Sequence, residues 1–200
     1  MTEKNSENIL KVRETDVKSP TIKTMMIPLS MCATVREDTT LHDAISVLYD
    51  AHKKDLQSSY RSRVILVFNR ENRIVGKVDP LDLIAGVEDG YRRIGDLKSI
   101  SHMGFTREFM KMMMDSHRLW QDPLTDICRK AAGRKVGDIM SNTGPEEFMA
   151  EEDSLAEAIH RLTLGHLPFL IVTKDEKVSG ILRMDDVFGK ICDEIRRCEP

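Results

Sequence analysis

Two hundred residues, 40% hydrophobic and 32% charged, suit one large domain or two small ones with a modest core. A net charge of −3 excludes a strongly basic nucleic-acid binder, and no apolar run approaches the ~18 residues that a membrane span needs. The four cysteines (Cys32, Cys128, Cys192, Cys198) form no CxxC and so frame neither a zinc site nor a disulfide scaffold; free thiols and a polar N-terminus without a signal core fit a cytoplasmic protein.

Residues 1–20 read as a lead-in with one short helix or strand around Ile9–Val12, closed at Ser19-Pro20, since a residue before proline avoids the helical region. Residues 21–90 then show an ordered set of signals. A short segment ends at Met26, and a brief extended piece follows at Ala33-Thr34-Val35. Thr40 and Asp43 have capping-box spacing, with helical apolar spacing at Leu41, Ala44, Ile45 and Leu48. Next come the apolar strand Val64–Phe68, a polar turn and a second strand at Ile74–Val78, the pattern of an antiparallel hairpin. Asp79-Pro80 opens a closing helix with N-cap and N1 chemistry.

Residues 91–133 read as a helical insert. Thr106–Trp120 has helical spacing, with Phe109, Met112, Met113, Leu119 and Trp120 as its expected buried face. Asp122-Pro123 restarts a helix as N-cap and N1, and Gly133 ends it at a C′ position. Charge is uneven: residues 91–134 carry 9 basic and 5 acidic groups, and residues 135–200 carry 8 and 14. A basic connector attracts an anionic partner or a second protomer's acidic surface, and it equally suits a solvated helix face.

Residues 134–197 repeat the first set. Met140 falls on Met26, and Leu155-Ala156-Glu157-Ala158-Ile159 falls on Leu41-His42-Asp43-Ala44-Ile45, both at an offset of 114. Downstream, residues 64–84 align without a gap on residues 168–188 at an offset of 104. Gly76 then meets Gly180 and Asp82 meets Asp186; Ile65, Leu66, Val67 and Phe68 meet Phe169, Leu170, Ile171 and Val172. The first copy thus holds ten extra residues, within Ala51–Ser62. Two copies of one β-α-β-β-α unit make an α+β protein, and ligands favour clefts at such unit interfaces.

This ordered set, seen twice, resembles tandem CBS domains, the Bateman module. The resemblance is carried by Asp138-Ile139-Met140, Ser154-Leu155-Ala156-Glu157-Ala158, His166-Leu167-Pro168, Gly180-Ile181-Leu182 with Asp186, and in the first copy by Thr40–Ala44, Val75–Val78 and Asp82. It implies two CBS-like units packed sheet to sheet as a pseudo-two-fold pair. Their cleft would take an adenine-containing ligand: AMP, ADP, ATP or S-adenosylmethionine. No cofactor is required.

The family motif is Gly-apolar-apolar-Ser/Thr-x-x-Asp, with the hydroxyl residue on a phosphate and the Asp on the ribose. Carried over, the ribose residues are Asp82 and Asp186, and the hydroxyl position holds Asp79 in one copy and Arg183 in the other. Asp79 would repel a phosphate, whereas Arg183 would pair with one, so the resemblance favours the site of Arg183 and Asp186. Thr143, in the loop after Met140, and Pro168, at the start of a strand, complete the expected ligand contacts. Each Asp also suits a helix N-terminus on dipole grounds alone, Ser141-Asn142-Thr143 also suits a plain turn, and Pro168 also suits a purely structural role.

No P-loop, GxGxxG, HExxH or GxSxG is present, and the six histidines do not cluster, so the sequence points to neither an enzyme nor a metal site. The chain reads as a stand-alone regulatory module, homodimeric and signalling through a dimer rearrangement or through a protein partner that its sequence does not identify. The alternative is a structural or dimerisation module that binds no ligand.

Overall fold

The computed structural model of the chain describes residues 21–54, 63–94 and 105–198. The expected element at Ile9–Val12 and the extra residues before Arg63 lie mostly outside that range. The first unit comprises α1 (Ile22–Met25), β1 (Ile27–Pro28), a 3-10 turn (Leu29–Met31), β2 (Ala33–Arg36), α2 (Leu41–Lys54), β3 (Ile65–Phe68), β4 (Ile74–Val78) and α3 (Pro80–Val87). The insert holds α4 (Asp89–Ile94), α5 (Arg107–His117) and α6 (Leu124–Ala132). The second unit follows a 3-10 turn (Val136–Asp138) with β5 (Phe148–Ala150), α7 (Leu155–Leu164), β6 (Phe169–Lys174), β7 (Lys177–Arg183) and α8 (Met184–Arg197).

Each unit has the expected β-α-β-β-α order. β2 runs parallel to β3 and β3 antiparallel to β4; β5 runs parallel to β6 and β6 antiparallel to β7. The two sheets face each other through Val64, Leu66, Phe169, Ile171 and Ile181, flanked by Phe68, Ile74, Phe148 and Val178. Behind each sheet its own helices close a second apolar layer: Ala44, Ile65, Val67 and Val78 in one unit, Ala158, Leu162, Leu170 and Leu182 in the other.

The lead of each unit packs on the opposite unit. Ile22 is 0% exposed inside the second unit's core, and Val136, its counterpart at offset 114, is 0% exposed inside the first unit's. β1 pairs antiparallel with β7, Ile27 opposite Ile181. The matching contact is Ser141 opposite Lys77, each N–H donating to the other's carbonyl at 2.9 Å. These crossings account for the paired glycines. A Cβ on Gly180 would overlap the Ile27 carbonyl oxygen, and one on Gly76 would lie 2.7 Å from Met140 Sδ and 2.8 Å from the Ser141 carbonyl oxygen. Only glycine lets a second backbone come that close.

The ungapped alignment of the hairpins is corrected by one residue. Ile65 faces its unit's core and Leu66 the inter-sheet seam; in the second unit Leu170 faces the core while Phe169 and Ile171 face the seam. Ile65 therefore corresponds to Leu170, an offset of 105, and the second strands keep 104. The first turn holds one more residue: Asn69–Arg73 separate the paired Phe68 and Ile74, whereas Lys174–Lys177 separate Thr173 and Val178. The upstream excess of the first copy becomes nine residues, from 114 to 105.

The insert also departs from expectation. α5 ends at His117, where Arg118 turns left-handed at φ 53°, and it buries no residue. Phe109 and Met112 are exposed, Met113 and Trp120 are half-buried, and only Leu119 of the expected face is buried. The insert is anchored instead by buried Glu88, whose carboxylate accepts from Gly90 N–H and Trp120 N–H at 3.0 Å each. Asp122 is not the cap of α6: Pro123 holds that position without a side-chain bond, and Asp122 pairs with Lys130 at 2.9 Å. Gly133 is the C-cap in a right-handed conformation, not a left-handed C′ residue.

Gly180→Ala should lower unfolding free energy by about 1–3 kcal/mol, because the overlap displaces β1. Gly189→Ala, in the interior of α8 with nothing within 4 Å of an added Cβ, should raise it by up to about 1 kcal/mol. Denaturant titration of both variants checks the contrast.

Candidate functional site

Both candidate ribose carboxylates sit on the third residue of a helix that follows a hairpin. At α3, Asp79 is the N-cap and its Oδ1 accepts from the N–H groups of Leu81 and Asp82 at 2.8 Å each. Asp82 returns the contact: its Oδ2 accepts from Asp79 N–H at 3.1 Å and from the Ser141 hydroxyl at 2.9 Å. The crossing lead thus brings the Ser141-Asn142-Thr143 loop to Asp82, which the sequence separates by 59 residues. Thr143 in that loop is half-buried.

At α8 the arrangement differs. Arg183 is the residue before the helix and is 6% exposed. Its guanidinium grips Asp186 with two bonds, Nε to Oδ2 and Nη2 to Oδ1, each 2.6 Å. The residue expected to take a phosphate therefore holds the residue expected to take a ribose. Pro168 is exposed just before β6, not within it, and its carbonyl accepts from Met184 N–H at 2.9 Å, which ties the start of β6 to the start of α8. Cys32 is buried within reach of Arg183. Burial pushes its thiol pKa up to about 12 against the pull of the Arg183 charge, which leaves it protonated and unreactive near neutrality.

A charged pair unforeseen in the sequence lies across the seam. Lys77 of β4, 5% exposed, forms an ion pair with Glu147 of the second unit, 6% exposed, and its ammonium stands 5.3 Å from the centre of the Phe169 ring. The positions equivalent to Lys77, Glu147 and Phe169 in the other half are Ile181, Ala33 and Val64, all apolar. One side of the pseudo-two-fold is thus polar and the other greasy. The signal in the sequence was Lys77 itself, a lone charge inside an apolar strand.

The sheet pair leaves a cleft of about 1080 Å³ at the hairpin-turn end of the seam. Its walls include Leu29, Phe68, Ile74, Phe148 and Val178, with Arg36, Arg73 and Lys177 beside Glu71 and Glu176. That volume is of the order that small ligands occupy. None of Asp82, Thr143, Pro168, Arg183 or Asp186 is on its wall. β4, about 13 Å long at 3.3 Å per residue, runs from its wall at Ile74 to the start of α3, which carries Asp82. Among the described residues no group of three or more His, Cys, Asp and Glu could hold a metal ion, and no helix is long and apolar enough to cross a membrane.

The CBS domain family model matches residues 22–89 and 136–193. Comparison by sequence with curated proteins returns no match. Among solved structures, the CBS-pair protein CBSX2 from Arabidopsis thaliana is similar at a TM-score of 0.55 and 20% identity, over 89% of this chain and 98% of that one. A structure of CBSX2 in complex with AMP aligns at 0.53 and 20%, over 90% and 100%. A CBS domain-containing protein of unknown function from Bacillus anthracis aligns at 0.54 and 18%, over 88% and 95%.

Lys77→Ile should cost about 3–5 kcal/mol, since it leaves Glu147 buried without its counter-charge. Lys77→Ile with Glu147→Ala, which copies Ile181 and Ala33 from the other half, should recover most of that loss. Equilibrium unfolding of the single and double variants reads the difference, and equal losses in both would refute the coupling.

Proposed function

The chain belongs to the CBS-domain family, and on that premise we propose that it is a regulatory module that binds an adenine nucleotide where its two units meet and acts through a partner rather than by catalysis. The observation that carries the reading is the placement of Asp82 and Asp186 on the third residue of α3 and α8. A carboxylate there can accept from two vicinal ribose hydroxyls, while the helix N-terminus and, in the second unit, Arg183 favour a phosphate. The AMP complex of CBSX2 supports the ligand class. The site of Arg183 and Asp186 is the favoured one, because Asp79 and Asp82 already occupy the first N-terminus with negative charge. Thr143 would complete the contacts of the first half-site and Pro168 those of the second. The same reading divides the chain into a lead-in (1–20), two CBS units (21–90 and 134–197) and the insert (91–133), in the cytoplasm.

The partner we assign first is a second copy. Met184, Phe188, Ile191 and Ile195 recur at helical spacing along α8 and are all exposed, Phe188 by 58% and Ile195 by 66%. Leu81 and Ile84 are exposed on α3, the matching helix of the first unit. Such stripes on a surface helix mark association faces. The same observation favours the second reading, a dimerisation module that binds no ligand.

Calorimetry with AMP, ADP, ATP and S-adenosylmethionine separates the two. At least one should bind, and Asp186→Ala should weaken it roughly tenfold or more, the loss expected from charge-assisted hydrogen bonds. Silence across all four ligands leaves the dimerisation module. Light scattering tests the face independently: Phe188→Glu with Ile191→Glu should convert a dimer to monomer, and a wild-type chain that is already monomeric at high concentration removes the assignment.

A further inference from the structure

Arg183 and Asp186 satisfy each other in the free protein. Arg183 is 7% exposed at its side chain and Asp186 23%, and the pair is bidentate, with both contacts at 2.6 Å. Paired Arg–carboxylate forks of this kind are among the stronger polar contacts in proteins. A ribose therefore cannot reach Asp186 on the terms it would meet at a free carboxylate: it must take oxygens that already accept from a guanidinium. We propose, resting on the adenine-nucleotide reading above, that Arg183 determines the specificity of this site by ion-pair exchange. It gives up Asp186 to the ribose hydroxyls and takes the ligand's phosphate in return.

The exchange conserves charge pairing. Before binding, the guanidinium faces a carboxylate and the carboxylate a guanidinium. After it, the guanidinium faces a phosphate, and the carboxylate accepts from two hydroxyls at the N-terminus of α8, where the helix dipole favours its charge. A nucleoside offers the hydroxyls but no anion in exchange, so it must break the fork without replacing it. The site thus selects against ligands lacking a phosphate, and the selection comes from competition within the protein as much as from attraction to the ligand. The first unit holds Asp79 at the position of Arg183, an acid that has no cation to offer a phosphate; its Asp82 accepts from Ser141 and from its own N-cap backbone.

The test titrates AMP and adenosine into the full chain, its Arg183→Met and Arg183→Ser variants, and Asp186→Ala. Thermal unfolding first confirms that each variant is folded; Arg183→Met keeps most of the buried volume should the serine variant fail. Wild type should prefer AMP over adenosine by roughly tenfold or more, the scale of one charge-assisted contact. In Arg183→Met adenosine should bind about tenfold tighter than to wild type, and the preference for AMP should shrink to within about threefold. Asp186→Ala should weaken both ligands. If AMP binds wild type but adenosine is no tighter on Arg183→Met, the exchange is wrong while the nucleotide reading stands. If neither ligand binds any of the chains, the reading fails and the exchange with it.

Discussion

The structure depends on a close approach of backbones at two equivalent points. At each, the lead of one unit crosses to the other and lies against the second strand of its hairpin, where a glycine leaves room: Ile27 over Gly180, Met140 and Ser141 over Gly76. The completion of both cores and the assembly of the first half-site follow from this. The crossing places Ile22 and Val136 as plugs in the opposite cores, so neither unit's apolar layer is complete without the other's lead. It also delivers the loop after Met140 to Asp82. The two units are therefore one cooperative body despite the 43 residues of insert that separate them in the sequence (91–133), and a ligand that changes the fit of a lead changes both cores.

Upon that symmetric frame the chain has written two different halves. Lys77, Glu147 and Phe169 make a charged, cation–π-supported contact across the seam, whereas the equivalent positions are apolar, Ile181 and Val64 lying in the seam and Ala33 in the first unit's own core. Buried ion pairs of this kind add little net stability over a well-packed apolar contact, and they strongly penalise any arrangement that separates the partners. Lys77 therefore defines how the sheets may sit more than how tightly they hold. The same inequivalence recurs at the helix N-termini, with a carboxylate pair and a serine hydroxyl on one side and an arginine–carboxylate fork on the other. On the proposed reading, two unlike half-sites let the module respond to one ligand at one place.

How far the sequence was legible follows the physics of each element. The caps at Asp79, Thr40 and Ser154 and the helix spacing of Leu41–Leu48 were readable because each expresses a local backbone demand, and Gly76 and Gly180 because they recur at one repeat offset; Asp43 and Glu157 N–H groups donate to the cap hydroxyls at 3.2 and 3.1 Å. The register of β3 against β6 was not. Val64–Phe68 and Phe169–Val172 are apolar at every position, because one face meets the core and the other the seam, so no alternation marks which side chain points where. Asp82 and Asp186 lie in the first turns of their helices, as their spacing after each hairpin implies, but the Arg183–Asp186 fork depends on rotamers that spacing alone does not reveal. The Met-rich face of α5 looked like core because apolar periodicity records amphipathicity and not what covers it; Phe105 and Phe109 stack on each other at 5.2 Å in an exposed position instead. The lead exchange is the most distant of these contacts, and nothing local encodes it beyond the two glycines.

On the proposed reading the nucleotide site and the association face share one helix, and this links binding to output. Asp186 lies in the first turn of α8, Val187 anchors that turn in the core, and Phe188, Ile191 and Ile195 run outward along the exposed stripe. Val187 is the helix's only buried residue, so the orientation of α8 is set near its N-terminus and magnified toward Ile195, about 12 Å further along at 1.5 Å per residue. A ligand that replaces the Arg183 fork acts at the end where the helix is held. A small rotation there moves the stripe by more than it moves the site, and a second copy seated on the stripe would read that displacement. On the proposed reading the fork is therefore both the gate of the nucleotide site and the pivot of the surface that reports it, and the two roles require no element beyond α8 and the strand that leads into it.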